Sequence, residues 1–538
     1  MFLILKKFSV RVFIPSVSLI ILVNLLLSEP YESNPQKRIE EALAAGNNAV
    51  ATAEYRKLLQ DNFFKVEYHR GYIGSHLGQP QRGSAFFAQA NQDMIEGYRR
   101  YASSSIPEVS DIGYYGLGYF YTLQRDYERA RENFEKVRNT QLPYLNNSLG
   151  AVYRATGRLD LAKQYFHREI QFGGNVAGAY SGLAQILYAT KQYSDLKQIA
   201  ARPEAQNSIP LDIRRFLALR EGRYADYVRE AGAFRRVTAY GLLGALLILG
   251  AWFVYLQQVE GFEAKRLGYS VIVLAGGMIF SCFVVPLYDA FAFGLRANGT
   301  YQKGLIYYVL IVGLIEEALK VVPVLLIMRL THAIDEPLDY IIYGSISALG
   351  FAFVENLLPG SEWRLGAIST RALGAVVLHM TQTSLIMYGL FYSRYRVQKK
   401  PLQYFLLAFG AACVLHGIFD FSANRSWGIL AALVQIYCIR EYGVFINYTL
   451  NLSERNPDRS KRQLELTEYL CYALAAIVML QYVAMAVKYG PSNANSAFRW
   501  TAIFAYFWLC MILVNLGSFD LQKRLWLPLL KRKATAEI

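Results

Sequence analysis

From residue 239 to residue 517 the chain is a succession of apolar runs, each close to the ~20 residues that one helix needs to cross a bilayer's hydrocarbon core. Within lipid every backbone donor and acceptor must be satisfied inside its own segment. Continuous apolar runs of this length therefore have one solution, the spanning helix. Spans are expected near 10–27, 239–256, 269–288, 304–328, 338–358, 370–392, 402–422, 427–447, 468–487 and 499–517. The run at 427–447 is the weakest, because Arg440 and Glu441 sit inside it. The first run has the length of a signal sequence, but Leu26-Leu27-Ser28-Glu29-Pro30 lacks a small-x-small cleavage pattern, which favours an uncleaved anchor. Between the first run and the rest lies a more polar stretch. The expected fold class is all-α, a polytopic helical membrane protein of nine or ten spans. Its parts are an anchor (1–29), a soluble insert (30–235), a membrane core (236–450) and further spans with a basic tail (451–538).

The charge balance fits that plan. Lys and Arg number 56 against 41 Asp and Glu, a net charge of +15. The excess sits largely in short connections between apolar runs: Lys265-Arg266, Arg394 to Lys400, Arg455 to Arg462 and Lys523 to Lys533. The positive-inside rule places such clusters in the cytoplasm, and no nucleic-acid partner is implied. Counted over alternate loops, the rule sets both termini in the cytoplasm and the insert on the extracytoplasmic side. Arg235 and Arg236 run against it. All five cysteines lie in apolar runs and none forms a CxxC pair, so a thiolate zinc site is excluded.

The insert repeats itself. Leu117-Gly118, Tyr121, Tyr127, Ala130 and Phe134 recur 32 residues later as Leu149-Gly150, Tyr153, Leu159, Ala162 and Phe166. After a further 34 residues they recur more loosely as Leu183-Ala184, Leu187, Tyr193, Leu196 and Ala200, with Leu196 where the other copies have a small residue. Ala42 to Leu59 reads as a degenerate earlier copy. The period resembles the tetratricopeptide repeat, an α-solenoid unit in which small residues let paired helices approach closely. Such an array is either a spacer or a concave surface for a peptide or partner protein.

Ionisable groups inside hydrocarbon are costly, so each one is a functional hypothesis. Four successive runs carry them: Glu316-Glu317-Ala318-Leu319-Lys320, then Glu355-Asn356 at the end of the next, then His379 with Thr383, then His416 with Asp420. Glu316 and Lys320 are four residues apart and Glu317 and Lys320 three, so the lysine can reach either carboxylate. His416 and Asp420 have the spacing of an imidazole oriented by a carboxylate. Glu316 falls near mid-bilayer, with the others toward the extracytoplasmic side. Singly, each of these is ordinary interhelical glue, and a proton- or ion-coupled transporter or a non-catalytic receptor also accommodates buried charge. Together they make a compact set for activating water, and the broken helices and inverted repeats of transporters are not evident.

The same residues resemble the PrsW-type intramembrane proteases, within the larger group that includes the CAAX prenyl endopeptidases and bacteriocin-immunity membrane proteins. The matching motifs are EExxK (Glu316, Glu317, Lys320), FAxxEN (Phe351, Ala352, Glu355, Asn356), His379 preceded by Arg371, and HxxxD (His416, Asp420), over about residues 265–425. The prenyl-endopeptidase branch is less similar, because an arginine usually follows its first motif where this chain has Val321. The resemblance implies hydrolysis of peptide bonds in membrane-anchored protein substrates, with the bilayer itself as surroundings. Two chemistries fit the residues. In one, Glu316 or Glu317 is the general base while His379 and His416 polarise the carbonyl. In the other, His379, His416 and Glu355 hold zinc and an open position activates the water.

Overall fold

The computed structural model describes residues 2–28, 34–78, 85–232, 237, 239–261, 264–291, 295, 300–357, 368–397, 401–425, 427–453 and 460–517, and among these there is no strand. The boundaries at Glu29-Pro30 and Arg235-Arg236 lie outside the described residues. So do several cations on which the orientation rests, among them Arg296, Arg364, Lys399, Lys400, Arg455, Arg459 and the tail from Lys523. The chain forms two compact units, one over residues 29–231 and one made of residues 1–28 with 232–538.

The smaller unit is built from helix pairs. Pro107–Leu123 with Tyr127–Phe134, Leu145–Ala155 with Leu159–Phe172, and Val176–Ala189 with Tyr193–Ala200 coincide with the three sequence copies. Each pair turns through one residue in the left-handed region: Arg125 at φ 63°, Gly157 at φ 80° and Lys191 at φ 60°. Gly46 (φ 76°) turns an earlier pair, Pro35–Ala44 and Asn48–Asp61. Gly222 (φ 69°) turns a later pair, Leu211–Arg220 and Tyr224–Ala231, that sequence periodicity did not reveal. Within two of the pairs a glycine is required for contact. A Cβ on Gly118 would come within 2.6 Å of the Phe134 ring, and one on Gly150 within 2.7 Å of Phe166. Those phenylalanines, with Ala130, Ala162, Leu149 and Leu183, form the unit's continuous apolar core.

In the larger unit every one of the ten expected runs is helical. Among the described residues eight helices are long and apolar enough to cross a membrane, and Pro491–Gly517, bent by 48° between Arg499 and Thr501, makes a ninth if it counts as one span. The run at 304–328 falls within a continuous helical stretch, Tyr301–Ile306, Tyr307–Gly313 and Leu314–Leu330, whose apolarity is broken by Lys303, Glu316, Glu317, Lys320 and Arg329. Many apolar helices make this an integral, multi-pass membrane protein. The doubtful run at 427–447 is the helix Gly428–Leu452, in which Glu441 is buried and bonded by Arg440 at 2.9 Å.

Four helices carry the motifs: the first over Leu314–Leu330, the second over Pro337–Glu355, the third over Val376–Tyr392 and the fourth over Pro401–Asn424. The first and third are each entered through a π-helical segment, Tyr307–Gly313 and Arg371–Ala375. Wider turns of this kind are frequent at functional sites and re-aim the side chains that follow. A π segment also leaves carbonyls outside the normal ladder, and buried carbonyls need partners. Trp252 Nε1 donates to the Ala372 carbonyl at 3.1 Å and Gln435 Nε2 to that of Leu373 at 3.0 Å. The first π segment packs closely on the fourth motif helix: a Cβ on Gly417 would lie 2.5 Å from Val309 Cα, and one on Gly313 2.6 Å from the Cys413 carbonyl oxygen. That approach sets His416 against the first motif helix.

Candidate active site

Glu317 and Lys320 are fully buried at 0% exposure, and Glu316, His379 and His416 nearly so. Lys320 Nζ is the hub, donating to Glu316 Oε2 at 3.2 Å, to Glu317 Oε1 at 2.8 Å and to His379 Nδ1 at 2.6 Å. It also lies 4.7 Å from the centre of the Phe351 ring. The lysine thus pairs with both carboxylates, where spacing alone allowed either. A buried charge of this kind persists only when paired and hydrogen-bonded.

Glu317 is saturated. Besides Lys320 it accepts from His416 Nδ1 at 2.8 Å and from Thr383 Oγ1 at 3.2 Å. Gln382, in the amide orientation that satisfies both its ends, donates to Glu317 at 3.3 Å and accepts the His416 backbone N–H at 3.3 Å. Its partner set makes Glu317 an anchor for the surrounding helices. Glu316 is freer: Tyr288 donates to its Oε1 at 2.6 Å, and its Oε2 lies 3.5 Å from His416 Nε2. Sequence reasoning missed Tyr288, which carries no charge and ends the expected span 269–288, and it missed Gln382.

The hydrogen bonds assign the histidine tautomers. His416 gives its Nδ1 proton to Glu317, and its Nε2 faces Glu316 and Asp420, whose Oδ2 is 3.4 Å away. The carboxylate that orients His416 most closely is therefore Glu317, with Asp420 as the longer contact. His379 accepts from Lys320 at Nδ1, so its Nε2 carries the proton and faces Glu355 Oε2 at 2.9 Å. Arg371 holds the other Glu355 oxygen at 3.2 Å. Asn356 follows as the buried C-cap of the second motif helix. The two imidazole centres are 5.5 Å apart.

One donor atom from each of Glu316, His379 and His416 lies within 4.8 Å of the others. The carboxylate in this group is Glu316. Glu355, the carboxylate expected from the sequence to complete a zinc set, lies instead against His379 Nε2 and Arg371, because it ends its helix on the outer side of that imidazole. Two histidines and a glutamate are a common catalytic zinc set, and metal-bound histidines characteristically give their other ring N–H to a carboxylate. Both histidines have a carboxylate beside that nitrogen here, hydrogen-bonded at His416 Nδ1 and 2.9 Å away at His379 Nε2. The formal charges also suit a divalent cation, since four carboxylates (Glu316, Glu317, Glu355, Asp420) face two cations (Lys320, Arg371). The residues fit zinc.

Residues 265–447 match the family model described as PrsW family intramembrane metalloprotease. Protease PrsW of Clostridioides difficile (strain 630) is 32% identical over 142 residues, covering 24% of this chain and 59% of that protein. Protease PrsW of Geobacillus kaustophilus (strain HTA426) is 28% identical over 185 residues, 34% of this chain and 80% of that protein. Protease PrsW of Bacillus subtilis (strain 168) is 32% identical over 136 residues, 25% of this chain and 59% of that protein. The chain thus spans 59% of the length of two of these three relatives. No solved structure matches.

Proposed function

We propose that the larger unit is an intramembrane peptidase that hydrolyses peptide bonds of membrane-anchored proteins, with Glu316, His379 and His416 as its hydrolytic core. The observation that carries this is the convergence of those three donors on separate motif helices, in the stretch that matches the PrsW model. In the leading form of the proposal the three residues hold zinc. Bound there, zinc would lower the pKa of a water to about 7 and polarise the scissile carbonyl. Glu317 accepts the Nδ1–H of His416, Glu355 Oε2 lies 2.9 Å from His379 Nε2, and Tyr288 fixes Glu316 by its Oε1.

A second form is favoured by two contacts: Lys320 engages Glu316 Oε2 and a ring nitrogen of His379, residues that each belong to the three-donor group. With the lysine in that position, Glu316 acts as general base toward a water, and Lys320 with His416 stabilises the developing oxyanion. The insert, in this reading, is a tetratricopeptide-like surface that recruits the substrate or a partner from the extracytoplasmic side.

Metal content and trapping separate the forms. Glu316→Gln keeps shape but cannot take up the proton, so pull-down with that variant followed by mass spectrometry should enrich uncleaved membrane proteins. Removing Glu316, His379 or His416 should lower cleavage of the trapped substrate about 10²–10⁴-fold with insertion intact. Stoichiometric zinc, lost in both His379→Ala and His416→Ala, supports the metal form, and chelator-resistant activity in metal-free protein supports the general-base form. Full activity in all three variants overturns the peptidase reading.

A further inference from the structure

Between the helices Val66–Leu77 and Ala85–Ala102 of the smaller unit lies a cavity of about 630 Å³, walled on a third side by Asn48–Asp61. That is the size of a small-molecule site. Asn48–Asp61 and Ala85–Ala102 are the second helices of successive pairs, so the cavity lies apart from the row of first helices. A Cβ on Gly97, in its wall, would meet nothing within 4 Å, whereas Gly118 and Gly150 each receive a phenylalanine ring. Two histidines in the lining bridge the gap between the helices. His76 Nε2 bonds Asn91 Oδ1 at 2.9 Å, and His69 Nδ1 accepts from Tyr98 Oη at 2.8 Å while its Nε2–H donates to the Phe63 carbonyl at 2.6 Å. Both ring nitrogens of His69 are thereby committed, and that wall is fixed.

One side of the lining is aromatic. The centres of Phe63 and Tyr101 are 5.0 Å apart at 83°, those of Tyr98 and Tyr101 5.8 Å apart at 86°, and His69 meets Tyr98 at 5.7 Å. Tyr98 and Met94 are buried beneath, and Tyr101 is exposed at the rim. A cluster of edge-to-face rings takes up a further ring by the same geometry, a contact that a ligand without a ring cannot make.

Two opposite charges complete the lining, on different walls. Arg56, on Asn48–Asp61, donates from Nη2 to Tyr72 Oη at 3.1 Å and lies 5.7 Å from the centre of that ring. Its Nε and Nη1 make no hydrogen bond. Asp93, on Ala85–Ala102, accepts from Gln89 at Oδ1 (2.9 Å), and its Oδ2 makes no hydrogen bond. Among the described residues neither forms an ion pair, with the other or with any third group. Guanidinium and carboxylate each gain most from a charged partner. A ligand with a single charge would satisfy one of them, and a zwitterion satisfies both.

We propose that this cavity binds a free α-amino acid with an aromatic side chain, its carboxylate on Arg56, its ammonium on Asp93 and its ring against Phe63, Tyr98 and Tyr101. The end residue of a peptide carries only one of the two backbone charges, so the occupant is the free amino acid. The site belongs to the insert alone. Because binding is measured without hydrolysis, it stands or falls separately from the peptidase reading.

The test uses the full chain in nanodiscs of zwitterionic lipid and tritiated L-tryptophan, with unlabelled competitors. L-Phenylalanine should displace the label. L-Tryptophanamide, which lacks the carboxylate, and N-acetyl-L-tryptophan, which lacks the ammonium, should compete about tenfold or more weakly, the loss of one charge-assisted hydrogen bond each. L-Alanine, which lacks the ring, should not compete at the same concentration. Arg56→Gln and Asp93→Asn, both at exposed side chains, should each weaken tryptophan by about tenfold or more. Arg56→Gln should no longer distinguish tryptophan from its amide, and Asp93→Asn no longer from the acetyl derivative, a loss of discrimination that general destabilisation would not produce. Gly97→Leu, which fills the cavity, should abolish binding. Absence of saturable binding, equal competition by alanine, the amide or the acetyl derivative, or undiminished affinity in Arg56→Gln, Asp93→Asn or Gly97→Leu overturns the proposal.

Discussion

Replacing Lys320 by methionine isolates the charge at the centre of the site. The methionine thioether chain fills nearly the same volume and keeps contact with Phe351, so packing changes little. Three hydrogen bonds disappear, to Glu316, Glu317 and His379. Two carboxylates then share a buried site without their cation, and breaking a buried pair from one side costs about 3–5 kcal/mol. The assay is thermal unfolding of the purified protein in one detergent, read from the emission of the buried Trp252 and its fellow tryptophans. A fall of several degrees in apparent melting temperature is expected for Lys320→Met. Glu317→Gln in the same background should restore most of it, because a neutral amide does not need the cation. The coupling in that cycle should therefore reach about 1–3 kcal/mol with a compensating sign. A single variant that melts with the parent protein, or two substitutions that simply add, would refute the claim that Lys320 neutralises this pair.

Three further outcomes are expected. In intact cells, with any outer envelope permeabilised, added protease should digest residues 30–235 and spare the 394–400 loop; protection of the insert reverses the orientation argued from the loop cations. Deleting about residues 36–230 should leave the membrane unit folded but impair turnover of the natural substrate, and unchanged turnover returns the insert to a spacer. In the insert, burial holds His69 and His76 below the usual imidazole range. Their unfolded forms take up protons first, so stability is fully present above about pH 6.5 and declines as pH falls below it. The His69→Gln variant, which loses the bonds to Tyr98 and Phe63, should show a flatter decline between pH 7 and 5 in hydrogen exchange of the insert.

The motif residues were legible because hydrocarbon makes them conspicuous. Glu316, Glu317, Lys320, Glu355, His379 and His416 are charged or titratable groups in apolar runs, and helical spacing alone puts Lys320 within reach of either glutamate. The partners that complete the site were not legible in that way. Tyr288 reads as one more aromatic in an apolar run, and the priority of Glu317 over Asp420 at His416 depends on how two helices cross, which spacing within either one does not encode. The same limit shifted the carboxylate of the three-donor group from Glu355 to Glu316. In the insert the recurrence of small and aromatic residues exposed three helix pairs. The pair at Leu211–Ala231 escaped notice because it keeps the turn glycine, Gly222, but little of the side-chain pattern.

The π segment Tyr307–Gly313 has a consequence for how changes in chain length are read. A regular helix advances about 100° per residue, so its whole surface is locked in one phase. The π turn releases that lock: residues before it can face Phe421 and Trp427 through Tyr301, while residues after it face His416 and His379. Removing one residue between 307 and 313 would leave the stretch helical yet set these two faces out of phase. One of them would have to turn away from its partners, and circular dichroism would barely register the loss of the site. In this helix, position along the sequence and direction in space are set separately, and the spacing of the motif to its upstream neighbours is as much a part of the site as the glutamates themselves.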